Sequence, residues 1–239
     1  MTATMMRRLL LVAAAFIFCR QAVAQDSFSL DDYKSLKFYG IDFAPAQVVG
    51  AEEGASEFIE AFGGINSLFL SEPEKYIDPL AEHLKIRISD VKIEYALKSI
   101  ETIDGVELKV AKAPARPFTE EELSYTLLDL DIEPSDGLGL VVTAGELNKE
   151  TGYGTYYYVF FDNKTMEVLD VWPMQGKGSG AGVRSFWTRS FSRTIAEINP
   201  TIFYQAKKKV KEGVTEGAAA VKDAFGRGVD KVKDGIRKN

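Results

Sequence analysis

The chain is 239 residues long, 46% apolar and 27% charged, with 20 glycines, eight prolines and a formal net charge of −6. That composition excludes a wholly disordered or collagen-like chain. One histidine and one cysteine exclude zinc fingers, Cys/His metal clusters and disulfide scaffolds.

Residues 1–24 read as a secretory signal peptide. Arg7 and Arg8 give the positive start, Leu9 to Phe18 the short apolar core, and Ala22-Val23-Ala24 the small residues of a cleavage site. Bulky Phe16-Ile17-Phe18 before Cys19 argues against lipidation. Cleavage after Ala24 removes the only cysteine, leaving a chain suited to an oxidising compartment. The expected location is therefore periplasmic or secreted. No stretch after the leader is apolar enough, over enough residues, to cross a bilayer.

Charge divides what remains. Residues 25–206 hold sixteen basic and thirty acidic residues, whereas residues 207–239 hold ten basic and five acidic. An acidic body is a poor match for a phosphate backbone, so nucleic acid is excluded as a partner. The cationic tail is the part suited to an anionic one. The organisation expected is a leader (1–24), an acidic α/β domain (25–204) and a cationic amphipathic tail (205–239).

Along the body, Leu36 to Phe43 reads as a strand ending before Pro45. Ser56 to Leu70 reads as a helix with apolar residues at three-and-four spacing, although Gly63-Gly64 interrupts it. From Ile77 to Ile103 the periodicity is mixed and suggests a strand leading into a short helix. Thr119 and Glu122 form a capping-box pattern for a short helix through Leu130. Three strands follow, Leu138–Ala144, Thr155–Phe161 and Met166–Trp172. Asp162-Asn163-Lys164-Thr165 is short enough for an antiparallel hairpin. The middle strand is apolar on both faces, so it should be central with a layer packed over it. A last helix runs from about Gly182 to Asn199. The expected fold is a layered α/β (α+β) domain with a mainly antiparallel sheet covered by helices, plus a C-terminal amphipathic helical tail.

Candidate sites are few. Gly176, Lys177, Gly178, Ser179, Gly180 and Gly182, with Arg184, join a strand to a helix and could offer backbone N–H groups to an anion. The spacing fits neither a P-loop nor a dinucleotide fingerprint, and a tight connection is the simpler reading. Asp129, Asp131, Glu133 and Asp136 cluster acids, but Pro134 and Leu140 stand where a calcium loop needs glycine and glutamate. His83 is a lone histidine without a partner set. The aromatic group of Tyr156, Tyr158, Phe160, Trp172, Phe186 and Trp187 could line a pocket, though sheet-to-helix packing explains it more simply. No catalytic residue, metal ligand or cofactor is indicated.

In the tail, Val210, Val214, Ala218, Val221, Phe225, Val229, Val232 and Ile236 repeat with an 11-residue period, which keeps a stripe nearly straight along a helix. Five glycines at about 0.8–1.0 kcal/mol each leave that helix weak until it meets a surface. The surface residues expected are Val210, Val214, Val221, Phe225, Val229, Val232 and Ile236. Lys211-Glu212-Gly213-Val214 with Gly217-Ala218-Ala219-Ala220-Val221 resembles the 11-residue repeats of synucleins and late-embryogenesis-abundant proteins. That resemblance implies reversible membrane-surface binding or a desiccation-type role.

The body, over residues 35–198, resembles an uncharacterised family of exported bacterial proteins. The likeness is carried by Phe38-Tyr39-Gly40-Ile41-Asp42-Phe43, Gly137-Leu138-Gly139-Leu140-Val141, Leu147-Asn148-Lys149, Tyr158-Val159-Phe160-Phe161-Asp162, and Gly176-Lys177-Gly178 with Val183-Arg184-Ser185-Phe186-Trp187. It implies export and carries no activity. The function expected is a non-enzymatic envelope or secreted protein that binds a ligand, an envelope protein or an anionic surface, with peripheral membrane contact through the tail. The alternatives are a carboxylate-based hydrolase near the Gly176–Gly182 loop and a membrane-surface stress protein acting through the tail.

Overall fold

A computed structural model of the chain describes residues 28–110 and 116–211. The leader and the tail stripe beyond Val210 lie outside the described residues. Among those described, no helix is long and apolar enough to cross a membrane.

The domain is a layered α/β fold built on one mixed sheet. Its strands are β1 (Ser35–Asp42), β2 (Gln47–Val49), β3 (Arg87–Val91), β4 (Lys109–Val110), β5 (Leu138–Asn148), β6 (Tyr153–Asp162) and β7 (Val168–Lys177). The helices are α1 (Ala55–Ser71), α2 (Pro73–Leu84), α3 (Glu94–Ile100), α4 (Gly105–Leu108), α5 (Glu120–Asp129), α6 (Val183–Glu197) and α7 (Pro200–Lys211). Long β5 pairs antiparallel with β6, and β6 with β7. On its other edge β5 pairs parallel with β1 and then with β2. Beyond these, β3 joins β1 and β4 joins β2, both parallel.

The three antiparallel strands are those their alternation and short turns imply. The parallel half was hidden because its pairings join segments about fifty to a hundred residues apart, with no local turn to announce them. The double-sided apolar strand β6 is central and covered on both faces. One face buries Phe38, Leu140, Val142, Tyr156, Tyr158, Phe160 and Trp172 under α1, α2 and α6. The other buries Tyr39, Val141, Tyr157, Val159 and Phe161 under α5.

Local chemistry explains the helices. The capping box forms as its pattern implies: Thr119 accepts from the Glu122 N–H while the Glu122 carboxylate accepts from the Thr119 N–H. Arg116 pairs with the same carboxylate, and the Glu122 pKa falls to about 2. Gly63-Gly64 does not break α1. A side chain at Gly64 would meet the Arg184 Cδ at 2.8 Å, so glycine there admits the stem of an arginine from α6. Helix α2 was masked in the sequence by an internal Pro79. Pro200 lies just past the end of α6 and opens α7, where a missing N–H costs nothing. Phe203 in the first turn of α7 stacks on Trp172 at 4.5 Å, and the Tyr204 hydroxyl accepts from the Leu30 N–H at 2.7 Å.

An asparagine completes the sheet where strand pairing stops. Strand β3 covers β1 only as far as Phe38. Beyond it, Asn66 of α1 accepts from the Ile41 N–H at 2.8 Å and donates to the Ile41 carbonyl at 2.9 Å. Asn66 is fully buried. It supplies the pair of bonds that a neighbouring strand would have made, which an edge buried against helices requires.

Candidate functional site

The Gly176–Gly182 segment is divided between two structural tasks. Gly176 and Lys177 are the last residues of β7, and the Gly178 N–H extends the ladder to the Gly152 carbonyl at 2.7 Å. A Cβ on Gly176 would lie 1.9 Å from the Ser190 carbonyl oxygen, and one on Gly178 would lie 2.1 Å from the Phe186 ring. These glycines let α6 lie directly on β7. Ser190 Oγ donates to the Gly176 carbonyl at 2.7 Å, and Arg193 donates to the Lys177 carbonyl at 2.7 Å. Ser179 leads into Gly180 and Gly182, which turn the chain with positive φ, and Gly182 caps α6 without a side-chain bond. Lys177 sits over the Tyr153 ring, while Arg184 lies against α1 at Gly64. The two cations flanking the segment are thus turned toward protein partners.

The aromatic group is core. Tyr156, Tyr158, Phe160, Trp172 and Trp187 are fully buried, and Phe186 is half-buried. Phe191 of α6 contacts Phe69, Tyr156 and Tyr158 at centroid distances of 5.6, 5.7 and 6.2 Å. The Tyr158 hydroxyl shares a 2.7 Å bond with Thr194, and burial pushes its pKa far above the usual phenol value. His83 is half-buried in the last turn of α2. Among the described residues no group of three or more histidines, cysteines or acids is arranged to hold a metal. Of the tail stripe, only Val210 falls within a described element, on the backbone of α7.

A different site emerges where β1 ends. The chain leaves the sheet at Phe43, makes a turn in which the Ala46 N–H donates to the Phe43 carbonyl, and re-enters as β2. Asp42 faces Thr143 and Gln47 faces Glu146, so four residues on this edge oppose two on β5. The excursion opens the fold beside α3 and α5. A cavity of about 280 Å³ lies there, lined by Asp42, Ala44, Pro45, Tyr95, Lys98, Ser99, Thr102, Thr126, Asp129 and Leu130.

Topology explains the position. From β1 the chain crosses by α1 and α2 to β3 on one side, and later by α3 and α5 to β5 on the other. Helices α1 and α2 cover one face of the sheet and α5 the other, and the cavity lies at the carboxyl end of the first strand. Asp42 is the last residue of that strand.

Asp42 is only 2% exposed. Its Oδ1 accepts from Ser99 Oγ at 2.6 Å and from the Ala44 N–H at 3.0 Å. Burial raises its pKa above the ordinary carboxylate value, opposed by those two hydrogen bonds and reinforced by nearby Asp129. Lys98, the cation of the lining, pairs outward with exposed Asp131 at 3.5 Å. Sequence reasoning reached Asp129 only as part of an acidic cluster and missed the other lining residues. One signal was present: an acid between Ile41 and Phe43, at the end of a strand that is apolar from Phe38 onward. Compared with known proteins, the chain matches no family model, no curated protein and no solved structure.

Proposed function

We propose that this chain is a non-enzymatic ligand-binding protein of the cell envelope or the secreted space, with a C-terminal segment that seeks an anionic surface. The observation that supports the reading is the Asp42 cavity. A nearly buried carboxylate at the carboxyl end of the first parallel strand is costly to the fold, and such groups concentrate at sites of function. The leader-like residues 1–24 and the cationic residues 207–239 support the location and the surface contact. The body-wide resemblance to exported bacterial proteins agrees with export. Binding is favoured over catalysis because the lining holds no histidine, and Ser99 donates to a carboxylate already held by a backbone N–H.

The test is native mass spectrometry of the protein isolated from its own envelope fraction, with N-terminal sequencing of the same material. The expected result is a chain beginning at Gln25 with a small-molecule adduct, lost when Thr102 on the cavity rim becomes tryptophan. A chain that carries no adduct and gains no stability from any small-molecule probe sinks the reading. A carboxylate-based hydrolase is the second reading. It is favoured by Asp42 and Asp129 lining one cavity, and it requires turnover that Asp42→Asn abolishes.

A further inference from the structure

The ligand class follows from which hydrogen-bonding groups of the cavity are already committed. Three of its four hydroxyl side chains spend their protons on the protein; the fourth, Tyr95, accepts from the Glu133 N–H at 3.4 Å. Ser99 donates to Asp42, Thr102 to the Ser99 carbonyl at 2.8 Å, and Thr126 to the Leu123 carbonyl at 3.0 Å. Lys98 is turned to Asp131. What remains is mostly acceptor. Both bonds to Asp42 fall on Oδ1, so Oδ2 carries none, and the exposed Asp129 carboxylate is bonded to no group among the described residues. A site with two unfilled anionic acceptors, whose own cation is drawn outward, selects a ligand rich in N–H groups and positive charge.

Geometry narrows the choice further. A guanidinium is recognised through both oxygens of one carboxylate; buried Asp42 has only one to give, so that geometry is open only at exposed Asp129. A bare metal ion needs more oxygen ligands than two acids provide, and no such group is assembled among the described residues. An ammonium is a compact point donor that one free oxygen can hold. The volume of about 280 Å³ is at the small end of ligand cavities, which begin at about 300 Å³. We propose that the cavity takes the primary ammonium of a small amine, held between Asp42 Oδ2 and the Asp129 carboxylate. The inference rests on the ligand-binding reading above. It also accounts for a carboxylate held where water is scarce, since the incoming cation supplies the counter-charge that the fold withholds.

The test is calorimetric titration of the full-length protein as isolated, at physiological salt. The probes are 1,4-diaminobutane, the neutral 1,4-butanediol, the dianion glutarate and magnesium chloride. The diamine should bind and raise the melting temperature, and the other three should not. Asp42→Asn should weaken diamine binding at least tenfold, Asp129→Asn severalfold, and Thr102→Trp should abolish it. The body carries thirty acids against sixteen basic residues, so removing one charge would barely alter diffuse attraction, and the Asp42→Asn result isolates the site. Asn at 42 keeps the oxygen that accepts from Ser99 and Ala44. Should that variant melt abnormally, Asp129→Asn on the exposed turn of α5 carries the test.

Nα-acetyl-lysinamide distinguishes a lysine side chain of a partner from a free amine, and binding of either supports the ammonium class. Equal binding of the diol or glutarate, or undiminished diamine binding in an Asp42→Asn that melts cooperatively at or above the wild-type temperature, overturns it. If the isolated protein carries an adduct that the diamine cannot displace, the ammonium assignment fails while the ligand-binding reading stands.

Discussion

The two faces of the sheet are finished differently. One is sealed by α1, α2 and α6, and its aromatic side chains leave no exposed atoms worth counting. Most polar groups there are paired within the layer, Tyr158 with Thr194, Ser190 with Gly176 and Asn66 with Ile41, whereas the buried Trp187 indole N–H has no partner among the described residues. The other face is roofed mainly by α5, whose outer surface still exposes Tyr125 and Leu128, and beside it the cavity opens. The contrast separates stability from function. The sealed face supplies the burial that holds the fold, and the incompletely roofed face can afford a desolvated acid.

Substitutions can break that contrast. The largest loss is expected from Gly176→Val on the sealed face. Its side chain would strike the Ser190 carbonyl, and α6 cannot shift without unseating Trp187 and Phe191. Denaturant unfolding should show a loss of about 3 kcal/mol or more. Asn66→Leu comes next. It strands the Ile41 N–H and carbonyl in a dry edge, a cost of about 2–3 kcal/mol that the same measurement reads. On the open face, Thr119→Ala removes the cap of α5, worth about 1 kcal/mol. A result larger than that of Asn66→Leu would mean the open face carries more of the fold than its packing implies.

The smallest change has the opposite sign. The folded-state pKa of Asp42 lies above its unfolded value. Its contribution to stability is therefore fully present below the unfolded pKa and lost as pH rises through the folded one. Asp42→Asn should raise the melting temperature at neutral pH and flatten the dependence on pH just above the ordinary aspartate range. A lower melting temperature at neutral pH would show that Asp42 serves the fold and would remove the case for a strained site.

Legibility followed the same division. The central strand Tyr153–Asp162, the capping box at Thr119 and the apolar stripe of Val183–Glu197 were readable because each is a local pattern whose period or cap chemistry needs no distant partner. Helix α2 and the parallel pairings were not. Pro79 hides the first, and the second join segments that carry no shared local signal. The glycine segment drew attention as a motif, yet the close approach of α6 explains Gly176 and Gly178. The cavity drew none, because Asp42, Ser99 and Asp129 come from three elements that only the crossovers bring together. Asp42 within an apolar run was the single trace, and its meaning depends on a strand end that sequence alone does not locate.

The bond between Leu30 and Tyr204 joins the beginning of the described body to its end. Phe28 lies against Phe160 and Phe203 against Trp172, so both ends pack on the adjacent strands β6 and β7. A polypeptide emerging from the ribosome therefore holds Leu30 without its partner until 174 residues have followed. Closure is a late event, and a chain truncated before Phe203 would leave the door ajar at both ends at once.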